Sequence, residues 1–252
     1  MTPGDRYLDL LIRSLTNTLF EQEPDHDSAD VGRFVVAFTM HYIRGSAITM
    51  LPRVRLENIR HCVEAVITDD VPGDLIEAGV WRGGGCIFMR GCLEALGRGD
   101  RIVWVADSFE GLPDPGPDNA RESQFFNSPM MQRHYKRLEA SLEEVHANFN
   151  AYGLMSDRVR FLKGWFNETL PTAPIEQLSV LRLDGDYYSS TMDTLNALYA
   201  KVSPGGFVII DDYGEDAWTD CRKAVDEFRR DHGVTEPIVT VDSKCVFWRK
   251  NA

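Results

Sequence analysis

Two apolar runs in this chain end in acids. LRLDGDYYSS spans 181–190 and VIIDDYG spans 208–214, and together they carry Asp184, Asp186, Asp211 and Asp212. If the two runs are adjacent parallel strands, all four carboxylates reach one edge of a sheet, the edge where open α/β sheets bind ligands. Two anions ~4 Å apart repel by about 4 kcal/mol at an effective dielectric near 20, so such a group needs protons or a cation. All-oxygen ligation suits Mg²⁺, Mn²⁺ or Ca²⁺ rather than zinc. The competing reading is helix capping by Asp186 or Asp212, because a helical pattern follows each.

A second constellation lies upstream. EAGVWRGGG, residues 77–85, follows an apolar run and opens a helical one. Glycines at such a turn let backbone N–H groups approach a ligand, and a helix N-terminus favours a carboxylate or phosphate. The spacing of Gly79, Gly83, Gly84 and Gly85 is not G-x-G-x-x-G, and no Walker lysine follows. Asp107 closes IVWVADS, 28 residues after Gly79. An acid at the end of the second strand of a nucleotide-binding βαβ unit accepts from ribose hydroxyls. Alone, Asp107 reads equally as a turn or cap residue; with the glycine turn it points to an adenosine-containing ligand.

The elements that must position these residues are legible as an alternation. DLIEAGV, RIVWVADS, RVRFLKG, LSVLRLDGD and FVIIDDYG are strand-length apolar runs. Helical patterns cover 85–96, 138–152, 189–201 and 218–230. Apolar strands separated by helices predict a doubly wound α/β fold with a mostly parallel sheet. PIVTVD and KCVFWRK, separated around Asp242 and Ser243, predict a tight hairpin and a C-terminal antiparallel strand. Leu8, Leu11, Ile12, Leu15 and Leu19 mark an N-terminal helix over 5–20, residues 31–51 have no clear period, and 54–67 is helical. The expectation is one domain over 1–252: a helical cover at 1–70, a Rossmann-like core at 71–252, and a lid at 107–137. The lid, GLPDPGPDNARES followed by QFFNSPMMQRHYK, is longer than compact domains carry unless it covers a site.

Bulk properties exclude several classes. With 39 Asp+Glu against 27 Lys+Arg the net charge is −12, which repels phosphate backbones and argues against nucleic acid. No run approaches the ~18 apolar residues of a membrane span. Five cysteines without C-x-x-C suggest reduced thiols and a cytoplasmic protein. The histidines show no metal-ligand spacing; His134, on the lid, is a candidate substrate contact, as is Tyr187 beside the acids. Trp81 and Trp165 follow strand ends, where a ring could stack on adenine or face a sulfonium cation.

In order and strand context, IEAGVWRGGGCIFMRG, VWVADSFEGLPDP, VRFLKGWFNETLP, LRLDGDYYSSTMDTL and SPGGFVIIDDYG resemble the macrocin O-methyltransferase family, from about Pro72 to Arg249. That resemblance implies a class I methyltransferase using S-adenosylmethionine and Mg²⁺ on sugar hydroxyls of macrolide and aminocoumarin antibiotics. It implies that Glu77, Gly79, Trp81, Arg82, Gly83 and Gly84 hold the methionine part, Asp107 and Ser108 the ribose, and Gly164 and Trp165 the adenine. It further implies Asp184, Asp211 and Asp212 as metal ligands, Asp184 also bordering the cofactor, and Asp186 as general base. The expected partner is a glycosylated small molecule, and the expected assembly a homodimer. A catechol-type O-methyltransferase, a nicotinamide-dependent dehydrogenase and an adenosine-ligand sensor remain as alternatives.

Overall fold

The computed structural model describes residues 1–25, 36–43, 45–116, 120–127, 139–214 and 219–251. The helices are α1 (Pro3–Leu15), α2 (Arg53–Thr68), α3 (Gly84–Ala95), α4 (Ala120–Phe126), α5 (Leu142–Ala151), α6 (Phe166–Thr169), α7 (Tyr188–Leu198) and α8 (Thr219–Asp231). The strands are β1 (Asp74–Ala78), β2 (Val103–Asp107), β3 (Val159–Lys163), β4 (Leu178–Leu183), β5 (Val202–Ile210), β6 (Val239–Thr240) and β7 (Val246–Arg249). They form one sheet in the order β3-β2-β1-β4-β5-β7-β6. Strands β1 to β5 run parallel; β7 pairs antiparallel with β5, and β6 antiparallel with β7.

The strands are apolar throughout because both faces are covered. Leu75, Val103, Val105, Val180 and Ile209 face a layer from α1, α2, α3 and α5, with Leu8, Leu11, Ile59, Val63, Phe88 and Phe149 packed on them. The alternate residues, Ile76, Trp104, Leu181 and Val208, face α7 and α8 through Leu195, Leu198, Val225 and Phe228. Removing these side chains from water supplies the main drive for folding, at about 25 cal/mol per Å² of apolar surface. The period of two along each strand is therefore present, but both sets are hydrophobic.

The chain leaves β1 for β2 and β3 on one side, then returns to place β4 on the other side of β1. This reversal opens a crevice beyond the carboxyl ends of β1 and β4. At that point the two strand ends nearly touch: the Asp184 N–H donates to the Ala78 carbonyl at 2.8 Å. Gly79 has φ +89°, and a Cβ there would lie 1.8 Å from the Asp184 carbonyl oxygen. The glycine is thus required by close approach as well as by backbone conformation.

Some local expectations change. The connection between β6 and β7 runs over 241–245 instead of a two-residue turn, because Asp242 Oδ1 accepts from the N–H groups of Lys244 (2.9 Å) and Cys245 (2.8 Å). The N-terminal helix ends at Leu15. Within 31–51, a π-helical turn covers Thr39–Ile43, while 26–35 and Arg44 lie outside the described residues. The lid expectation over 107–137 is described only in part and includes α4; 117–119 and 128–138, with His134, lie outside. All five cysteines are free and buried. Replacement Gly79→Ala should lower the melting temperature by about 5 °C or more, or abolish soluble expression; wild-type-like thermal melting would refute the close approach.

Candidate active site

The crevice holds a cavity of about 480 Å³ lined by Gly79, Trp81, Asp107, Ser108, Gly164, Trp165, Asp184 and Asp186 among the expected residues. Asp107 ends β2, and its carboxylate is held by the backbone. Oδ2 accepts from the Val80 N–H at 2.7 Å and Oδ1 from the Phe109 N–H at 2.8 Å. A carboxylate offers about four lone-pair directions, so acceptor capacity remains for ligand hydroxyls. Burial raises the Asp107 pKa against those N–H groups, which lower it. The Ser108 hydroxyl is committed to its own loop, donating to the Gly111 carbonyl at 2.7 Å and accepting from the Glu110 N–H at 3.1 Å.

Other residues of the glycine turn play internal parts. Glu77 stands beside Arg182 in the β1/β4 register. Its carboxylate pairs with Arg182 and accepts from Cys86 Sγ at 2.9 Å, buried behind the cavity wall. A Cβ at Gly85 would lie 2.4 Å from Glu77 Oε1, so Gly85 makes room for this carboxylate. Arg82 turns away from the cavity, donating to the carbonyls of Ala47 (2.9 Å) and Tyr42 (3.3 Å) and pairing with Glu144 at 3.3 Å. Its guanidinium also lies 4.3 Å from the Trp81 ring centroid, so one face of that ring already carries a cation. Neither Glu77, Arg82, Gly83 nor Gly84 lines the cavity.

The acids regroup relative to the sequence expectation. Asp184, Asp186 and Asp212 each present an oxygen within 4.8 Å of the others. Asp211 instead enters a buried ion-pair chain: its Oδ2 accepts from Arg55 Nη1 at 2.7 Å, and its Oδ1 faces Arg182. Arg55 also binds Asp242 with Nε at 2.7 Å and Nη2 at 3.2 Å. Arg182 reaches Asp184 Oδ2 at 3.2 Å and, as above, Glu77. The structure thus groups Asp186 with Asp184 and Asp212 and pairs Asp211 with the two arginines.

Neither Asp186 nor Asp212 is a helix cap. Tyr187 occupies the N-cap position of α7, with no side-chain capping hydrogen bond, and α8 begins at Thr219. Asp186 has φ +59°, in the left-handed region, and its N–H donates to Asp212 Oδ2 at 3.2 Å. Tyr187, expected at the acceptor, is buried and does not line the cavity.

Crowding sets the electrostatics. Burial and the adjacent Asp211 push the Asp184 pKa up to about 7, against the pull of Arg182. Asp184 keeps 30% of its side chain accessible, so its neighbours matter as well as its depth. Burial, then Asp184, raises Asp186; burial, then Asp186 and Asp184, raises Asp212. Sequence reasoning missed Met50, Asn167, Ser189, Ser190 and Asp193, which also line the cavity. Ser189, Ser190 and Asp193 share one face of α7 by i, i+3 and i, i+4 spacing, a signal available in the sequence. Arg182, two residues before Asp184 in a strand, shares its side of the sheet and was equally available. Arg55 gave no local signal.

Residues 41–250 match the family described as macrocin-O-methyltransferase (TylF). The chain belongs to this family. It is therefore an O-methyltransferase, which implies S-adenosylmethionine as methyl donor. It is 47% identical, over 98% of its length and 94% of the relative, to the 8-demethyl-8-(2,3-dimethoxy-alpha-L-rhamnosyl)-tetracenomycin-C 4'-O-methyltransferase of Streptomyces olivaceus. It is 46% identical to the mycinamicin III 3''-O-methyltransferase of Micromonospora griseorubida, covering all of this chain and 98% of that one. The solved structure of the O-methyltransferase NovP superposes with a TM-score of 0.85 at 46% identity, covering 99% of this chain and 100% of that chain. Membership in this family sets aside the dehydrogenase and the sensor.

An acid whose folded pKa is raised is ionised first in the unfolded state. The contribution of Asp184 to stability is therefore greatest below the ordinary carboxylate range and is lost as pH rises through about 7, and Asp186 and Asp212, raised by burial and the same crowding, act in the same direction. Without added metal, Asp212→Asn should flatten this decline. It should melt about 2–4 °C above wild type at pH 8.5 and no higher at pH 5, by thermal scanning; equal pH slopes in the two proteins would contradict the crowding.

Proposed function

We propose that this protein transfers the methyl group of S-adenosylmethionine to a hydroxyl of a deoxysugar on a glycosylated natural product of macrolide or aminocoumarin type, with Mg²⁺ at the acidic cluster. The observation that carries the reading is the meeting, in a member of this family, of the Asp107 cavity with the oxygens of Asp184, Asp186 and Asp212, within 4.8 Å of one another.

The residues fit both groups. Asp107, anchored by two backbone N–H bonds, would accept from the ribose hydroxyls. Gly164 and Trp165, with Phe166, line the same cavity and suit an adenine. Gly79, on the cavity wall, would border the methionine part. Three carboxylates pushed toward protonation form an oxygen-only donor set short of positive charge, the chemistry that Mg²⁺ satisfies. Asp184 and Asp212 would hold it. Bound there, the cation would act as a Lewis acid on an acceptor hydroxyl and relieve the repulsion; the methyl donor supplies an already activated sulfonium carbon.

The chain's own part is placement and proton removal. Holding the acceptor oxygen in line with the methyl carbon is the main remaining task. Asp186, on the cavity wall beside the other two acids, takes the hydroxyl proton on its carboxylate as the oxygen attacks. Asp186→Asn should bind S-adenosylmethionine and Mg²⁺ with near wild-type affinity in titration calorimetry yet lose turnover by about 100-fold or more. A matching loss of Mg²⁺ affinity would instead make Asp186 a ligand. Mg²⁺ should raise the melting temperature more at pH 8 than at pH 5.5, because binding must displace protons from the cluster.

The direct test is incubation with labelled S-adenosylmethionine, Mg²⁺ and a panel of deoxysugar-bearing macrolides and aminocoumarins beside simple catechols, followed by mass analysis. Label appearing on a sugar hydroxyl supports the reading, and label confined to catechols sinks it. A cytoplasmic homodimer, one domain per chain, with lid and N-terminal segment enclosing the acceptor, belongs to the same proposal; light scattering checks the assembly.

A further inference from the structure

The ion-pair chain behind the acids joins elements far apart in the sequence. Arg55 comes from α2, Asp211 from the end of β5, Arg182 from β4, and Asp242 from the connection between β6 and β7. Arg55 is 7% accessible, Asp211 4% and Arg182 0%, so these charges are shielded from water and act on one another at low effective dielectric. The order is alternating: Asp242, Arg55, Asp211, Arg182, then Glu77. Arg182 is divided among Glu77, Asp184 and Asp211. Among the described residues the ion-pair partners of Arg55 are Asp211 and Asp242, while its charge also reaches Asp184 and Asp212 through space.

We propose that Arg55 is a positioning residue: an internal counter-ion that holds Asp211 beside the acidic cluster and thereby sets how tightly the cluster binds a divalent cation. The inference rests on the divalent-cation reading above. Two anionic neighbours compete for Arg55, and a cation at the cluster competes with Arg55 for the negative charge of Asp211. A buried guanidinium held by two carboxylates is not displaced without loss of those bonds. The site consequently trades cation affinity for a stable metal-free fold. Because Arg55 stands in the first turn of α2, which packs on α1, docking of the N-terminal helices and the affinity of the cluster become one equilibrium.

The geometry gives opposite signs to two substitutions. Arg55→Met removes the internal cation, frees Asp211, and should tighten Mg²⁺ about threefold to tenfold while lowering the melting temperature of the metal-free protein. Asp242→Asn leaves Asp211 as the ion-pair partner of Arg55 among the described residues and should weaken Mg²⁺ by a similar factor. Arg55→Lys keeps the charge and should stay within about twofold of wild type. Arg249→Met, which breaks the surface pair with Asp69, should leave Mg²⁺ affinity unchanged.

Affinity is read by titration calorimetry with Mg²⁺ and by the electron paramagnetic resonance signal of free Mn²⁺, on full-length protein without acceptor. Wild type that binds neither ion would defeat the cation reading itself. Wild type that binds, with Arg55→Met weaker or unchanged, would overturn the role of Arg55 alone. Should Arg55→Met not fold, Asp242→Asn and Arg55→Lys decide, and an Asp242→Asn protein that binds Mg²⁺ as tightly as wild type overturns the proposal. A merely structural arginine would lower stability without reversing the sign of the affinity change between the two variants.

Discussion

Like charge gathered at one edge of the sheet is the constraint on which this site depends. Parallel strands β4 and β5 end side by side, with the Asp211 N–H donating to the Leu183 carbonyl at 2.9 Å, so acids placed after each strand cannot avoid one another. The fold answers with two buried arginines, but not with enough of them. Glu77, Asp211 and Asp242 are paired and Asp184 shares Arg182, while among the described residues no ion pair to an arginine holds Asp186 or Asp212. A core optimised for stability would place apolar groups or amides here. The uncompensated acids make sense as a site maintained against stability, the usual trade at functional positions.

The fold was legible because its cause is local. Strands covered on both faces must be apolar at every position, and helices between them must carry one apolar stripe, so both patterns are written in the sequence. The hairpin was misjudged because a single side chain, Asp242, collects two backbone N–H groups and thereby lengthens the turn. That bond follows from Arg55 holding Asp242 from another layer, which no window of sequence contains.

The site was legible to the level of the backbone and not of the side chain. Strand ends and glycine turns tell which residues arrive at the crevice, and Gly79, Asp107, Gly164 and Asp184 arrive there. They do not tell which way a long side chain turns once it arrives. Glu77 and Arg82 both leave the cavity, one for Arg182 and one for the carbonyls of Ala47 and Tyr42. The pairing of Asp211 with arginines, while Asp186 and Asp212 face Asp184, has the same origin. Asp211 precedes Asp212 in sequence, but a partner 156 residues away decides its direction.

Asp186 shows how the capping and chemical readings are reconciled. An aspartate just before a helix ordinarily spends its carboxylate on the helix's first N–H groups. Here the backbone turns Asp186 into the left-handed region at φ +59°, a conformation that costs of order 1 kcal/mol for a residue other than glycine. Its side chain points to Asp184 and Asp212. The α7 N-terminus is not left bare: the Tyr188 N–H donates to Glu122 Oε1 of α4 at 2.9 Å. Glu122 is buried, and that burial raises its pKa against the pull of the Tyr188 N–H. A glutamate from the segment read as the lid thus takes over the capping that the local sequence assigned to Asp186. The acid is released for the cluster, and the turn that carries it is tied to α4.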